Sequence, residues 1–279
     1  MRTKGRGRVS PCSSATPCSD VGHTVDAPLT ARPPVRTLRV VSAIRSLLVF
    51  SLLLSLKYLS KVFYRHDFKF VGEPVPQPWK GIRALAFLNH TSLFEPVFLG
   101  GCPNGFLWRI AAHGVVPAAD KTTGRPLVGM IFKFIAHHVV AITRERDHTW
   151  FEVLNKIDPK SMVIIAPEGR MKRRNGLDLQ GNPMSVRGGI ADILQAVREG
   201  RMLIAYSGGL HHVQVPGEWP KVFKTVRMRI EIVDIASYIA AMTANGGPDN
   251  FKRNVREDLD RRRDFYCAPE NAEVARMIA

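Results

Sequence analysis

Residues 87–96, FLNHTSLFEP, decide how the chain is organised. The apolar run from Ile82 to Leu88 leads into this stretch and predicts a buried strand. Polar residues follow the strand at once, and they include His90, with Glu95 five positions later. Open α/β sheets bind their ligands at the carboxyl ends of the strands. The stretch therefore predicts an α/β fold with a functional site at the end of this strand.

The spacing of His90 and Glu95 predicts a turn between them. Within one continuous helix, residues five positions apart lie on different faces, so they could not meet. Ser92 is a candidate N-cap, and residues 92–95, SLFE, match a capping box. We therefore expect His90 in a loop and Glu95 in the first turn of the next helix, the layout of a general base and its orienting acid. The alternative is that Glu95 only caps the helix.

A second stretch, residues 162–170 with the sequence MVIIAPEGR, predicts another buried strand that ends in Pro167-Glu168-Gly169. A glycine at this point allows positive φ and a close approach of backbone to ligand. Basic residues follow at positions 170, 172, 173 and 174, and such groups suit a phosphate or a carboxylate. Arg144, after a third predicted strand at residues 139–142, is a further candidate for a phosphate. Its alternative is an ordinary ion pair with Glu145 or Asp147.

Three short blocks occur in a fixed order along the chain. They are Asn89-His90 with Glu95, then Ile142-Thr143-Arg144, then Pro167-Glu168-Gly169 followed by a basic residue. Together, over about residues 65–215, they resemble the glycerolipid acyltransferase family of lysophosphatidate acyltransferases. Two of the blocks depart from that family's pattern: Glu95 stands where the family usually has Asp, and Arg170-Met171 stand where it usually has Thr-Arg.

The resemblance implies an O-acyltransferase that moves a fatty acyl group from an acyl thioester to a hydroxyl of a lysophospholipid or glycerol-phosphate acceptor. The donor would be acyl-CoA or an acyl carrier protein, and no metal or other cofactor is expected because a thioester is already activated. His90 would be the general base and Glu95 its orienting acid, and backbone N–H groups near Gly169 would stabilise the oxyanion. The residues expected at the substrate are Asn89, Arg144, Glu168, Gly169, Arg170 and Lys172.

Residues 38–64 are apolar enough to contact a membrane. Their charge-free part, Ser46 to Leu56, would span about 16 Å as a helix, roughly half of a bilayer core. We expect a helix that lies in the interface or enters one leaflet, lengthened past Arg45 and Lys57 only if those side chains snorkel. The alternative is a buried helix of a soluble domain. With a net charge of +16, an anionic membrane surface on the cytoplasmic face is the expected partner of a peripheral or monotopic enzyme.

Other functions compete with this interpretation. The same charge would suit nucleic acid, but aromatic residues do not interleave with the basic ones, so we expect no nucleic-acid partner. A catalytically inactive membrane scaffold stays open because of the two departures from the family pattern. The four cysteines show no metal-ligand spacing and are expected to be reduced. The pairs His137-His138 and His211-His212 are poor metal sites, since adjacent residues of a strand point in opposite directions.

The sequence predicts four parts: a disordered basic tail at 1–37, a membrane-associated helix at 38–65, an acyltransferase domain at 66–245, and a charged C-terminal helix and tail at 246–279. The domain is expected to be α/β, with a mixed, mostly parallel sheet flanked by helices. Predicted strands lie at 106–111, 202–206 and 222–235, and predicted helices at 94–99, 126–136, 148–157 and 188–199. Residues 66–80 are expected to form a stiff linker, residues 175–187 a loop that could act as a lid, and residues 250–265 a solvated helix.

Overall fold

The structure is a computed structural model that describes residues 35–119, 138–142, 148–215, 218–244 and 246–267. Its strands are β1 (Tyr64–Phe70), β2 (Ile82–Leu88), β3 (Gly114–Ala119), β4 (His138–Ile142), β5 (Met162–Ile165), β6 (Arg201–Ser207) and β7 (Lys224–Asp234). They form one sheet in the order β1-β7-β6-β2-β5-β3-β4. Neighbouring strands are parallel except for β6 and β7. The predicted mixed, mostly parallel sheet is confirmed.

Helices cover both faces of the sheet. They are α1 (Val35–Phe63), α2 (Asn104–His113), α3 (His148–Asn155), α4 (Gly189–Val197), α5 (Ile235–Ala244) and α6 (Phe251–Tyr266), with 3-10 segments at Glu95–Gly101 and Pro248–Asn250. One buried cluster joins a face of the sheet to α1, α2 and the first 3-10 segment. A second cluster joins the other face to α3, α4, α5 and α6. This layering is that of an α/β domain.

The position of the site follows from the pairing of the central strand β2. Its alternate residues Ala84, Ala86 and Leu88 are fully buried, as the period of a strand requires. It is parallel to both β5 and β6. The carboxyl ends of these three strands therefore lie side by side. The Asn89-His90 block follows β2 there, and the Pro167-Glu168-Gly169 block follows β5.

The apolar helix α1 has two different faces. Val49 and Leu53 are buried against the domain. Lys57 does not meet the condition for a longer apolar span, which was that its side chain snorkels: it is buried, and its ammonium donates to Asn104 Oδ1 at 2.5 Å. The opposite face carries large apolar side chains in the open, namely Ile44, Leu47, Leu48, Tyr58, Leu59 and Val62. The helix is thus partly core and partly exposed apolar surface.

Several predicted elements differ in the structure. Residues 66–80 are not all linker, because Tyr64–Phe70 forms β1 at the edge of the sheet, parallel to β7. Residues 106–111 are part of the helix α2 and not a strand. The predicted solvated helix at 250–265 is α6, and its residues Phe251, Val255 and Leu259 are buried against the sheet.

Other predicted elements are confirmed within a few residues. These are the strands β2, β4, β5, β6 and β7 and the helices α3, α4 and α6. The helix predicted at 126–136 and the tail up to residue 34 lie outside the described residues. The four-part domain division stays a prediction, and its boundary at residue 65 separates α1 from side chains that it packs against.

Candidate active site

The chain turns sharply after β2 and brings His90 against Glu95. Asn89 has a φ of 62°, in the left-handed region that asparagine adopts more readily than most residues. His90 Nδ1 then lies 2.5 Å from Glu95 Oε2, as the spacing predicts. The other carboxylate oxygen, Oε1, accepts the backbone N–H groups of Thr91 at 2.9 Å and Ser92 at 3.4 Å. Glu95 therefore contacts the imidazole with one oxygen and fixes the turn with the other.

The element after the turn differs from the predicted capped α-helix. Glu95 begins a 3-10 segment whose N-cap is Phe94, without a side-chain cap. Ser92 Oγ accepts the N–H of Phe94 at 3.0 Å and donates to Gln214 Oε1 at 2.5 Å. Ser92 thus stabilises the turn itself and ties it to the segment after β6.

The imidazole of His90 is set up to accept a proton. Its Nδ1–H donates to Glu95, which leaves Nε2 on the far side of the ring as the basic nitrogen. The side chain keeps 18% of its surface exposed, enough for a substrate to reach it. Burial acts to lower the pKa of His90, but the adjacent Glu95 carboxylate, with a smaller contribution from Glu168, outweighs it and raises the pKa above the ordinary value.

Glu168 lies beneath the loop that carries His90. It is 2% exposed, and its two oxygens accept the backbone N–H groups of Asn89 at 3.1 Å and His90 at 2.9 Å. Burial raises the pKa of Glu168, although these N–H groups and a nearby arginine act against the rise. Glu168 was predicted to bind substrate, but here both of its oxygens position the loop.

That arginine is Arg263 of α6, a residue that sequence reasoning missed. Its Nη1 lies 3.4 Å from Glu168 Oε1 and 2.7 Å from Asp260 Oδ1. The carboxylates around it outweigh burial and raise the pKa of Arg263. The apolar stripe Phe251, Val255 and Leu259 continues at a spacing of four to Arg263, so the pattern of α6 did contain a signal.

Asn89 and Lys172, both predicted at the substrate, join the ends of neighbouring strands. The fully buried Asn89 donates its Nδ2 to Ser207 O at 2.9 Å, and its Oδ1 accepts Lys172 Nζ at 3.2 Å. The backbone N–H of Lys172 donates to His90 O at 2.7 Å. These bonds connect β2, β5 and β6, so Asn89 acts in the scaffold of the site and Lys172 lies next to the His90 loop.

Arg170 does not point freely at a ligand. It pairs with Asp178, whose side chain is 1% exposed. Although its burial favours the protonated form, backbone N–H groups of Asn182 and Gln180 and the Arg170 guanidinium lower the pKa of Asp178 to about 2. The predicted loop at 175–187 is therefore tied to the Pro-Glu-Gly turn by an ion pair.

Gly169 has a φ of 66°, as its place in the turn requires. Its N–H donates to Ala166 O at 3.0 Å, so this group is used within the turn rather than offered to an oxyanion. A Cβ at Gly169 would contact Arg187 Cδ at 3.4 Å, which shows that the Arg187 side chain lies over the glycine. Arg187 is a second residue that sequence reasoning missed.

A cavity of about 290 Å³ opens beside this turn. Its lining includes Glu168, Arg170 and Arg187, together with residues 182–185 of the predicted lid loop. A larger cavity, of about 440 Å³, lies at the opposite ends of β2 and β6, near Gly81 and Gly200, and contains none of the predicted site residues. Arg144 and Thr143 of the middle block lie outside the described residues.

Other potentially reactive side chains among the described residues include His211, His212 and Cys102. No group of three or more His, Cys, Asp or Glu side chains there could bind a metal ion. His211 Nε2 lies 3.0 Å from Lys172 O and His212 Nε2 lies 2.9 Å from Thr225 O, so the two rings bind different carbonyls. Burial raises the pKa of the Cys102 thiol to about 12, which makes it a poor nucleophile.

A solved structure is similar to this chain over most of its length. It is the 1-acyl-sn-glycerophosphate (LPA) acyltransferase PlsC from Thermotoga maritima, at 20% sequence identity and a TM-score of 0.49, covering 82% of this chain and 89% of that chain. No family model matches the chain, and no curated protein matches it.

Proposed function

We propose that the protein is an acyltransferase in which His90 is the general base. The observation that carries the proposal is the 2.5 Å contact between His90 Nδ1 and Glu95 Oε2 at the carboxyl end of β2, which leaves Nε2 for a substrate. Nε2 takes the proton of an acceptor hydroxyl while the hydroxyl oxygen attacks the carbonyl carbon of an acyl thioester. The tetrahedral intermediate then breaks its C–S bond. The thiolate leaves and takes the proton from the imidazolium, so the histidine is restored.

The carboxylates around His90 support this role. Glu95 and Glu168 raise the pKa of His90 and so stabilise the imidazolium that forms during the reaction. Glu168 also accepts the N–H of His90 itself, so the backbone that carries the base is fixed from below. A base with a raised pKa accepts a hydroxyl proton more readily than an ordinary imidazole.

The cavity beside the Pro-Glu-Gly turn supports a phosphorylated acceptor. Arg187 lines it next to the ion pair of Arg170 with Asp178, and a guanidinium group binds phosphate with paired hydrogen bonds. The ammonium of Lys172 binds Asn89 Oδ1 at the end of the neighbouring strand β2. We therefore infer a lysophospholipid or glycerol-phosphate acceptor and a donor of the acyl-CoA or acyl-carrier-protein type.

A membrane location fits the exposed face of α1. Among the described helices, the segment Ser42–Phe63 is long and apolar enough to cross a membrane, with a mean hydropathy of 1.6 and 28% of its most apolar part buried. Because Val49 and Leu53 pack on the domain, the helix fits the interface of an anionic bilayer with its apolar face down. A lipid acceptor would then enter from the same surface.

The test is acceptor-dependent release of thiol from acyl-CoA, followed by identification of the acylated lipid. We expect release only with a lysophospholipid or glycerol phosphate present, and loss of it in His90→Ala. Thiol release that is the same with and without any acceptor would overturn the transfer reaction. Wild-type protein that releases no thiol but binds vesicles would support the inactive scaffold, and salt-dependent binding to a random DNA duplex would support the nucleic-acid alternative.

A further inference from the structure

Residues 218–224, EWPKVFK, form the segment that enters β7, and they expose an unusual amount of apolar surface. Trp219 is 92% exposed, Phe223 is 71% exposed and Val222 is 42% exposed. Single exposed apolar residues are common, but three within five positions form a patch. We call residues 219–224 the tryptophan loop.

The shape of the tryptophan loop is imposed by the domain. Phe223 has a φ of 60°, a left-handed conformation that is unfavourable for a bulky side chain. Its N–H donates to Phe63 O at 2.6 Å, and its ring lies 6.2 Å from that of Phe63. The end of α1 thus fixes the backbone in a conformation that directs Phe223 outward, and such maintained strain is a reason to look for a function.

The loop continues the exposed apolar face of α1. Leu59 and Val62, in the last turns of that helix, are 56% and 67% exposed, and Phe63 contacts Phe223 directly. Two exposed lysines, Lys221 and Lys224, flank the apolar side chains. Aromatic residues with nearby lysines suit the boundary between lipid headgroups and acyl chains.

The loop is also connected to the turn that carries His90. The N–H of Lys221 donates to Val213 O at 2.7 Å. The adjacent Gln214 accepts the hydroxyl of Ser92, two residues from His90, at 2.5 Å. A surface bound to the loop would therefore lie close to the site.

We propose that the tryptophan loop is a second membrane-docking surface, which inserts Trp219 and Phe223 into the headgroup region of an anionic phospholipid bilayer while Lys221 and Lys224 bind lipid phosphates. It lies beside the exposed face of α1 and adds to the membrane contact of that helix. The inference deepens the proposed function, since the bilayer is the source of the lipid acceptor, but docking itself does not depend on turnover.

The experiment measures binding of the full chain to vesicles of phosphatidylcholine alone and of an equal mixture of phosphatidylcholine and phosphatidylglycerol. The double variant Trp219→Ala/Phe223→Ala should partition at least about tenfold more weakly than wild type, since each side chain loses a buried contact in the headgroup region. Lys221→Ser and Lys224→Ser should each weaken binding about fivefold on anionic vesicles only. The matched control is Phe265→Ala, because Phe265 is 72% exposed on α6, which covers the other face of the sheet.

A second measurement follows Trp219 directly. Acrylamide quenches the fluorescence of exposed tryptophans, and the difference in quenching between wild type and Trp219→Phe reports on Trp219. This difference should become smaller when anionic vesicles are added. Unchanged quenching, together with wild-type partitioning of the double variant, would overturn the proposal. So would a double variant that loses its self-association instead of its vesicle binding, since the patch would then be an interface between two copies of the chain.

Failure of docking and failure of the proposed function give different results. The double variant should release thiol from a short, water-soluble acyl thioester and soluble acceptor at the wild-type rate, and should require more lipid to reach half-maximal turnover of a bilayer acceptor. If it loses soluble turnover and folding together, the loop is part of the core and the proposal is wrong. If wild type transfers no acyl group yet its vesicle binding depends on Trp219, docking stands and the acyltransferase assignment falls.

Discussion

Replacing Glu95 with glutamine changes the charge and one acceptor of the site while keeping the size of the side chain. In the native protein Oε2 accepts His90 Nδ1, and Oε1 accepts the N–H groups of Thr91 and Ser92. An amide has only one oxygen for these two tasks. With its oxygen toward Thr91 and Ser92, its NH₂ group faces Nδ1. Two donors cannot bond to each other, so His90 must move its proton to Nε2, the nitrogen that has to act as the base.

The opposite orientation of the amide is worse. Its NH₂ group would face the N–H groups of Thr91 and Ser92, and each partly buried N–H left without an acceptor costs about 1–3 kcal/mol. The first orientation is therefore expected, with its inverted histidine tautomer. In a serine protease, the same loss of the orienting carboxylate lowers kcat by about 10⁴-fold. We expect a fall of about 10³- to 10⁴-fold for Glu95→Gln, with little change in stability.

The assay combines the rate of thiol release with ¹⁵N NMR of the histidine side chains. Wild type should show His90 protonated at Nδ1, and Glu95→Gln should show it protonated at Nε2. The matched control is Glu257→Gln, which removes an exposed carboxylate of α6. A Glu95→Gln protein that works within about tenfold of wild type with His90 still protonated at Nδ1 would refute the orienting role.

Four further outcomes are expected. His90→Ala should lose at least about 10²-fold in kcat with an unchanged circular dichroism spectrum, and a smaller loss would exclude it as the base. Because the pKa of His90 is raised, its neutral form is lost as pH falls through a value above 6.5. The acidic limb of the pH profile of kcat/KM should therefore have its midpoint above 6.5. A midpoint below 6.5 would contradict the effect of Glu95. Arg263→Met should lower kcat without changing the KM of the donor, and it should lower the free energy of unfolding in urea by about 2 kcal/mol. Arg263→Lys should recover part of both losses. Wild-type kinetics in Arg263→Met would show that the arginine does not act through Glu168. A chain starting at Arg65 should unfold at lower urea than the full chain because it loses the buried Val49 and Leu53, and equal stability would show that α1 is not part of the core.

The central strand and the turn that carries His90 could be predicted because their signals are local. The alternation of β2 and the five-residue spacing of His90 and Glu95 lie within a few positions of each other. The wrong strand at 106–111 came from a short apolar run that fits either element. In the structure, its buried residues follow the spacing of a helix, and they are Phe106, Leu107, Ile110 and Ala111. A run this short does not distinguish a helix from a strand by its sequence alone.

The missed features depend on distant partners. The edge strand β1 has a neighbour on one side only, so its exposure pattern is irregular and its sequence, YRHDFKF, resembles a linker as much as a strand. The bond between Arg263 and Glu168 joins residues 95 positions apart. The pairing of Arg170 with Asp178 depends on how the loop after the Pro-Glu-Gly turn folds back. No local pattern specifies such contacts.

The pairing of β1 with β7 has a consequence for biosynthesis. Tyr64 lies opposite Lys224, so the strand that follows the apolar helix waits about 160 residues for its partner. Contacts so far apart in sequence form late, and an apolar segment without its partners is prone to aggregate. During translation, α1 leaves the ribosome well before β7, while its exposed face is already complete. With the membrane location proposed above, the nascent chain would contact the bilayer before its α/β domain is complete, and the domain would finish folding there.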